Sequence, residues 1–381
     1  MVGQGLTVRV AIAHHWFVTR GGGERVAECI ASLFPQAEIF TLLERPEGLP
    51  RALAGRRRHT SFLQGIPFGT RYHRHLMPFY PAAAESLDMR GFDLVISSDS
   101  GPIKGIQVDK SATHLCYCHS PMRYLYDGFS AYRSQMRGIV RGLFSLSAGS
   151  VRRWDTLAAQ RVDGFIANSH YVARRIERNY GRTSEVIHPP IDLSLARTAD
   201  RPGEHYLCAG RLVGYKRTEL MIEACQRLGR RLRIAGDGPE LARLQQLAGP
   251  ETEFLGPLSD DALWRQYSEC RALLFAADED FGMVPLEAQA CGRPVIAYGA
   301  GGSLETVRGM GARPTGVYFE RQTVESVMEG ILDFECHEDR FHPLRARAWA
   351  EQFGTRHFLD RMRAFILDRV PGAETAMLPT E

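Results

Sequence analysis

Four short stretches gather residue types able to grip a polar, anionic ligand. The first is Glu279-Asp280-Phe281-Gly282-Met283-Val284-Pro285-Leu286-Glu287, which leaves an apolar run, passes a glycine and opens a helix at Pro285. Its two glutamates lie eight positions apart, one before the loop and one in the first helical turn. A carboxylate so placed accepts two hydrogen bonds from vicinal hydroxyls, and the loop N–H groups at Phe281, Gly282 and Met283 suit hydroxyl or phosphate oxygens. The second is Gly210-Arg211-Leu-Val-Gly-Tyr-Lys216-Arg217, directly after a strand-like stretch. There a forked guanidinium and a compact ammonium form a diphosphate clamp. The third, Thr19-Arg20-Gly21-Gly22-Gly23-Glu24, lets backbone approach a phosphate at a helix N-terminus. The fourth, Cys116-Tyr-Cys118-His119-Ser120-Pro121, brings a histidine to the end of another strand.

Each stretch taken alone has a plainer explanation: a capping and a surface glutamate, solvated loop cations, a turn-capping histidine. The glycine loop is not G-x-G-x-x-G, and no acidic residue closes a second strand, which disfavours a dinucleotide cofactor. No G-x-x-x-x-G-K-[ST] loop is present either. Of the eight cysteines, Cys116 and Cys118 form a C-x-C without a second pair, poor zinc spacing. No metal ligand is assigned.

The elements that must position these stretches alternate between β-rich and helical segments throughout, as in parallel sheets with crossover helices. A chain of 381 residues suits two such cores. Expected strands in the first half are Val8–Ala13, Glu38–Thr41, Leu94–Ser97, His114–Tyr117, Gly164–Ala167 and Glu185–Ile187, with helices at Gly23–Leu33, Arg133–Ala159 and His170–Tyr180. The polar stretch Arg197–Glu204, with Pro202-Gly203, reads as the linker. The pattern then restarts with strands at Tyr206–Ala209, Leu232–Ala235, Glu253–Leu255, Ala272–Phe275, Pro294–Ala297 and Gly316–Phe319. The expected division is 1–195, an N-terminal acceptor-side domain; 196–354, a C-terminal nucleotide-binding domain; and 355–381, a helix crossing back to the first domain and a tail. Two such α/β domains facing each other imply a cleft for a large ligand.

The net charge of +3 conceals an asymmetry. Residues 1–190 carry 24 Lys and Arg against 15 Asp and Glu, while the remainder carries 23 against 29. Arg56, Arg57, Arg58, Arg71 and Arg74 concentrate the excess among Phe62, Phe68, Phe79 and Tyr80. Cations mixed with aromatics suit anionic lipid headgroups, and equally a solvated basic face over a buried stripe. No nucleic-acid motif accompanies them. No apolar run approaches the roughly 20 residues of a membrane-spanning helix, and no secretory signal opens the chain. A cytoplasmic protein, peripheral on the inner face of the cell membrane, is expected.

The order of the motifs then becomes informative. Gly210-Arg211 with Lys216, Gly236-Asp237-Gly238-Pro239-Glu240, Glu279 to Glu287, Ala290-Cys-Gly-Arg-Pro-Val-Ile-Ala and Gly301-Gly302-Ser303-Leu304-Glu305 follow one another. This string resembles the retaining glycosyltransferases of family GT4, of GT-B fold, over residues 204–319. The early glycine loop, Cys118 to Tyr124 and Asn168-Ser169 resemble the O-antigen and exopolysaccharide mannosyltransferase branch. The resemblance implies that Arg211 and Lys216 neutralise a donor diphosphate, that Glu279, Phe281, Gly282 and Met283 hold the donor sugar, and that Glu287 accepts from the ribose diol. It further implies phosphate contacts at Gly22, Gly23, Gly302 and Ser303, and places His119 beside the sugar. Asp237, Gly238, Pro239, Glu240, Leu255, Gly256 and Leu258 would border the base. Asp280 stands where the family usually has a small residue, so this loop departs from the pattern.

The implied chemistry is transfer of a hexose, mannose from GDP-mannose, to a lipid-linked oligosaccharide in surface polysaccharide (lipopolysaccharide) synthesis. Attack on the face the leaving group vacates retains configuration, and the fixed cations would stand in for a metal. No cofactor is expected. A UDP-sugar-dependent transferase is the alternative; a GT-B sugar-nucleotide epimerase and a non-catalytic sugar-nucleotide-binding protein stand further off. An α-glucan phosphorylase needs a longer chain and a pyridoxal lysine motif.

Overall fold

The computed structural model describes residues 8–199 and 202–379; the side chains of Arg74, Ala131 and Gln135 lie outside the description, as do linker positions 200 and 201. The described chain forms two compact units, one of residues 8–189 with 358–379 and one of 190–357. The boundary falls six residues earlier than the expected 195. Ile191 is fully buried in the second unit's core, and its N–H donates to Phe353 O at 2.9 Å. Likewise 355–357 stay with the second unit.

Among the described residues the first unit's main sheet has seven strands, β1 (Val10–His14), β2 (Glu38–Thr41), β3 (Arg58–Thr60), β4 (Leu94–Asp99), β5 (Thr113–Cys118), β6 (Gly164–Ala167) and β7 (Glu185–Val186). All pair parallel, in the order β3-β2-β1-β4-β5-β6-β7. β1, β4, β5 and β6 are buried on both faces, which explains their unbroken apolar runs. Helix α1 (Gly22–Ser32) follows β1, α2 (Gly138–Gln160) follows β5, and α3 (His170–Tyr180) follows β6. The expected single helix from Arg133 is broken. Arg137 is extended and Gly138 has φ +56°, so Phe129–Gln135 ends before α2 begins. β3 begins at Arg58, directly after Arg57, two of the arginines expected at a lipid surface, and was not anticipated as a strand.

The second unit has β8 (Tyr206–Ala209), β9 (Leu232–Ala235), β10 (Thr252–Gly256), β11 (Ala272–Phe275), β12 (Val295–Tyr298) and β13 (Gly316–Phe319). They too are parallel, ordered β10-β9-β8-β11-β12-β13. Helix α4 (Met283–Ala290) follows β11, and α5 (Thr355–Arg369) leads back to the first unit. There Phe358, Met362, Phe365 and Ile366 of α5 are buried with Ile12, Ile30 and Ile39. Each of these two sheets reverses strand order once, between β1 and β4 and between β8 and β11. Doubly wound sheets bind ligands beyond the carboxyl ends of strands at such a reversal.

Candidate functional site

In the second unit the reversal brings together the two loops that sequence motifs had singled out. β8 ends at Ala209 and delivers Gly210 and Arg211; β11 ends at Phe275 and delivers Asp278 to Gly282. Lys216 Nζ forms an ion pair with Glu279 Oε1, the side chains only 14% and 19% exposed. Burial alone would lower the lysine's pKa, but the adjacent Glu279 carboxylate overrides it and holds the ammonium above its ordinary value. The cation also lies over the Phe275 ring, 5.6 Å from its centroid. Arg211 is exposed at the mouth of the same loop. The concavity here is lined by Gly210, Arg211, Lys216, Thr218, Phe275 and Ala277.

Glycines allow the loops to stack. Gly236 has φ +138°, and a Cβ there would lie 2.0 Å from Gly210 O. Gly302 approaches Phe281 so closely that a Cβ would sit 2.2 Å from Phe281 Cα, while its N–H donates to Glu279 O at 2.8 Å. Gly301-Gly302-Ser303 therefore buttresses the Glu279–Gly282 loop, with Ser303 fully buried. Gly282 caps α4 with φ +90°, placing Met283 at the first helical position. Glu287, in the first turn but one, accepts a 2.8 Å hydrogen bond from Tyr267 OH, which orients its carboxylate. Asp237 Oδ1 accepts from Gly238 N at 2.7 Å, and Glu240 pairs with Arg243. Gly236 N donates to Gly256 O at 2.8 Å, so the 236–240 loop, with Pro239 exposed, adjoins Leu255, Gly256 and Leu258.

The first unit's reversal carries a hydrogen-bonded chain that motif reading only half found. Ser98 Oγ, on β4, lies 3.1 Å from His14 Nδ1 and 2.8 Å from His119 Nε2. Among the described residues His14 Nε2 is buried without a partner, and an orphaned N–H costs more than a bare ring nitrogen. That places His14's proton on Nδ1, donating to Ser98, whose own proton then points at His119 Nε2. Burial, followed by the neighbouring His15 and His119, pushes His14's pKa well below its ordinary value, and burial pushes His15 down to about 3, so both stay neutral near pH 7. Gly23 faces this chain: a Cβ there would meet His14 Cε1 at 3.6 Å and His119 Nε2 at 3.8 Å. Gly22 opens α1 beside it. His14 escaped the sequence reading because the expected strand stopped one residue short of it.

Beneath the chain is a fully buried charge cluster, also unforeseen. Lys104 Nζ lies 3.1 Å from Asp99 Oδ2 and contacts Asp155 Oδ1, all three side chains without solvent exposure. Asp99 Oδ1 accepts from Gly101 N and Ile103 N, and Asp155 Oδ2 from Tyr126 and Tyr180. Asp99 O in turn accepts from His119 N at 2.7 Å, linking the cluster to the histidine. Three partners 99, 104 and 155 share no sequence spacing that would flag them.

Glu24, behind Gly23, is 8% exposed, and burial raises its pKa to about 7 despite hydrogen bonds from the backbone of Glu24 and Gly21. A carboxyl raised above its unfolded value stabilises the fold at low pH and loses that contribution as pH rises through about 7. Glu24→Gln is therefore expected to raise stability by up to about 3 kcal/mol near pH 8 and to leave it unchanged below about pH 4. Urea denaturation of both proteins across that range measures it.

The basic residues assigned to a lipid surface divide. Arg56 donates to Phe34 O and Ala31 O at 2.6 and 2.8 Å, covering the C-terminus of α1 where a cation is favoured. Arg58 pairs with Glu44 at 3.2 Å and donates to Ala54 O. Both are spent inside the unit, which removes them from the expected docking face. Arg57 is exposed near Glu38, and Arg71 is exposed with its guanidinium 5.7 Å from the Tyr72 ring centroid.

Two family profiles match in succession: Glycosyltransferase Family 4 over residues 20–195 and Glycosyl transferases group 1 over 198–350. Together they take in most of the chain, which thus belongs to the family 4 glycosyltransferases. Among curated relatives, D-inositol 3-phosphate glycosyltransferase of Geodermatophilus obscurus is 32% identical over 180 residues, 38% of this chain and 40% of that protein. GDP-mannose-dependent alpha-(1-6)-phosphatidylinositol monomannoside mannosyltransferase of Mycobacterium tuberculosis is 31% identical over 162 residues, 38% and 41% of the two chains. The matched stretches thus span well under half the length of these relatives. In fold, the chain is similar to Anabaena HepE in complex with UDP and glucose, with TM-score 0.69 and 17% identity over 94% of this chain and 99% of that one. The apo lipopolysaccharide outer core galactosyltransferase WaaB gives TM-score 0.64 at 16% identity, over 95% and 100%. The expected GT-B class of two α/β domains with parallel sheets is borne out. No helix among the described residues is long and apolar enough to cross a membrane.

Proposed function

We propose that the chain is a retaining mannosyltransferase that uses GDP-mannose and delivers mannose to a lipid-linked oligosaccharide in bacterial surface polysaccharide synthesis. The observation that carries the transferase reading is the pairing of Lys216 with Glu279 at the second sheet's reversal, with Arg211 on the same loop. A diphosphate seated there meets two cations, and the Gly282-capped start of α4 offers N–H groups nearby. Breaking the bond between anomeric carbon and phosphate leaves negative charge on the phosphate oxygen, where Lys216 and Arg211 stabilise it. The acceptor hydroxyl attacks from the same face and passes its proton to the departing phosphate. Glu279 and the Phe281–Gly282 loop hold the sugar hydroxyls; Glu287, oriented by Tyr267, takes the ribose diol.

The donor choice is supported by the Mycobacterium tuberculosis relative, whose name specifies GDP-mannose and a phosphatidylinositol monomannoside. His119, whose Nε2 lies 2.8 Å from Ser98 Oγ in the first unit, is given a role in catalysis by the family resemblance alone. Calorimetric titration of GDP, UDP and ADP into wild type and Glu287→Ala tests the reading. Selective GDP binding, weakened in the variant, is expected. Selective UDP binding would replace mannose by a sugar carried on UDP, and binding of no nucleotide would overturn the donor site.

A further inference from the structure

Helix α2 is apolar on two faces, and only one of them is covered. Phe144, Ala148 and Val151 are buried against the first unit's core. Ile139, Leu143 and Leu146, spaced i, i+4 and i+7, line another face and are 82%, 57% and 82% exposed. Burying such side chains is normally what holds a helix in place, so an apolar stripe left in water marks an interaction surface. The helix packs against the segment His73–Phe79, bordering a second group of exposed aromatics, Phe68 at 73% and Phe79 at 52%.

Charge identifies what covers this stripe. Between Asp127 and Asp155 the chain carries five arginines and no acidic residue. Arg153, seven residues after Leu146, continues the same face and is exposed, as is Arg137 just before the helix. A second copy of the same surface would set arginines against arginines. An acyl boundary under anionic headgroups satisfies both features, since apolar side chains enter the bilayer interface and guanidinium groups meet phosphates. The geometry points to the outer face of α2 as the surface by which this protein lies on an anionic lipid bilayer. This deepens the lipid-linked acceptor reading and rests on it for its purpose, though not for its physics. It also moves the contact away from Arg56 and Arg58, which are engaged within the unit.

Flotation with sonicated vesicles of phosphatidylcholine alone, or mixed with phosphatidylglycerol, tests the surface. Wild type is expected to float with the anionic vesicles, less in high salt, and little with phosphatidylcholine alone. Arg153→Gln is expected to lower recovery roughly fivefold, and Leu143→Gln with Leu146→Gln about tenfold or more. These positions face solvent, so unchanged thermal unfolding will show that the variants fold. Wild type that fails to float, or apolar variants that float as well as wild type, would overturn the inference. So would sedimentation showing a lipid-free dimer that the leucine variants dissociate, since a second copy then covers the stripe. GDP titration of the same variants separates the two readings: intact GDP binding with lost flotation isolates the surface, whereas flotation without GDP binding leaves the surface standing and removes the GDP-mannose reading.

Discussion

Replacing Lys216 by alanine is expected to slow donor turnover by about 10²–10³-fold, the usual effect of removing one donor aimed at developing charge. The proposed function gives Lys216 this role, and its surroundings suit it. Its ammonium is mostly withdrawn from water, and Glu279 keeps it protonated against the pull of burial. A fixed charge in a partly desolvated loop acts on a leaving phosphate far more strongly than a mobile surface lysine. Lys216→Arg retains the charge and should recover part of the rate. Lys216→Ala also leaves the Glu279 carboxylate without its cation, and with both groups partly exposed the fold should lose only about 1 kcal/mol. The decisive measurement is release of the nucleoside diphosphate at saturating donor, beside a urea denaturation curve. A rate within about threefold of wild type, in a folded variant, would remove Lys216 from the chemistry.

The largest effect on stability is expected at Lys104. Lys104→Met strips the cation from between two carboxylates that have no solvent exposure, and breaking such a buried arrangement costs about 3–5 kcal/mol. Burial alone would lower the lysine's pKa; Asp155 and Asp99 override it and hold the group well above its ordinary value. Burial meanwhile pushes Asp99 upward, so without the cation this carboxyl readily takes a proton. A carboxyl so raised stabilises at low pH and loses that contribution as pH rises through its folded pKa. The variant's deficit should therefore shrink as pH falls, opposite to a simple packing defect, whose cost is independent of pH. Denaturation midpoints at mildly acidic and mildly alkaline pH distinguish the two. Because Asp99 O also accepts from His119 N, the same substitution should disturb the histidine chain.

Much of this protein was legible in one dimension. Strands such as Glu38–Thr41, Gly164–Ala167, Tyr206–Ala209 and Gly316–Phe319 were read to the residue. A doubly covered parallel strand must be a short apolar run between turn residues, and that signal is local. The loop motifs were legible for a related reason: Gly210, Gly236, Gly282 and Gly302 stand where the backbone turns sharply or two loops touch, so the constraint is written in the residue itself. Tertiary structure decided what depends on partners distant in sequence. Ser98 joins His14 to His119 across 84 and 21 positions. Lys104 in Gly-Pro-Ile-Lys-Gly-Ile gives no hint of Asp155, because a buried ion pair leaves no periodicity behind. Arg56 and Arg58 looked like surface charge until β3 paired at the sheet edge and turned them toward α1 and Glu44. The sequence alone determined which residues could meet a diphosphate; only folding decided which charges remained available and which were spent holding the scaffold.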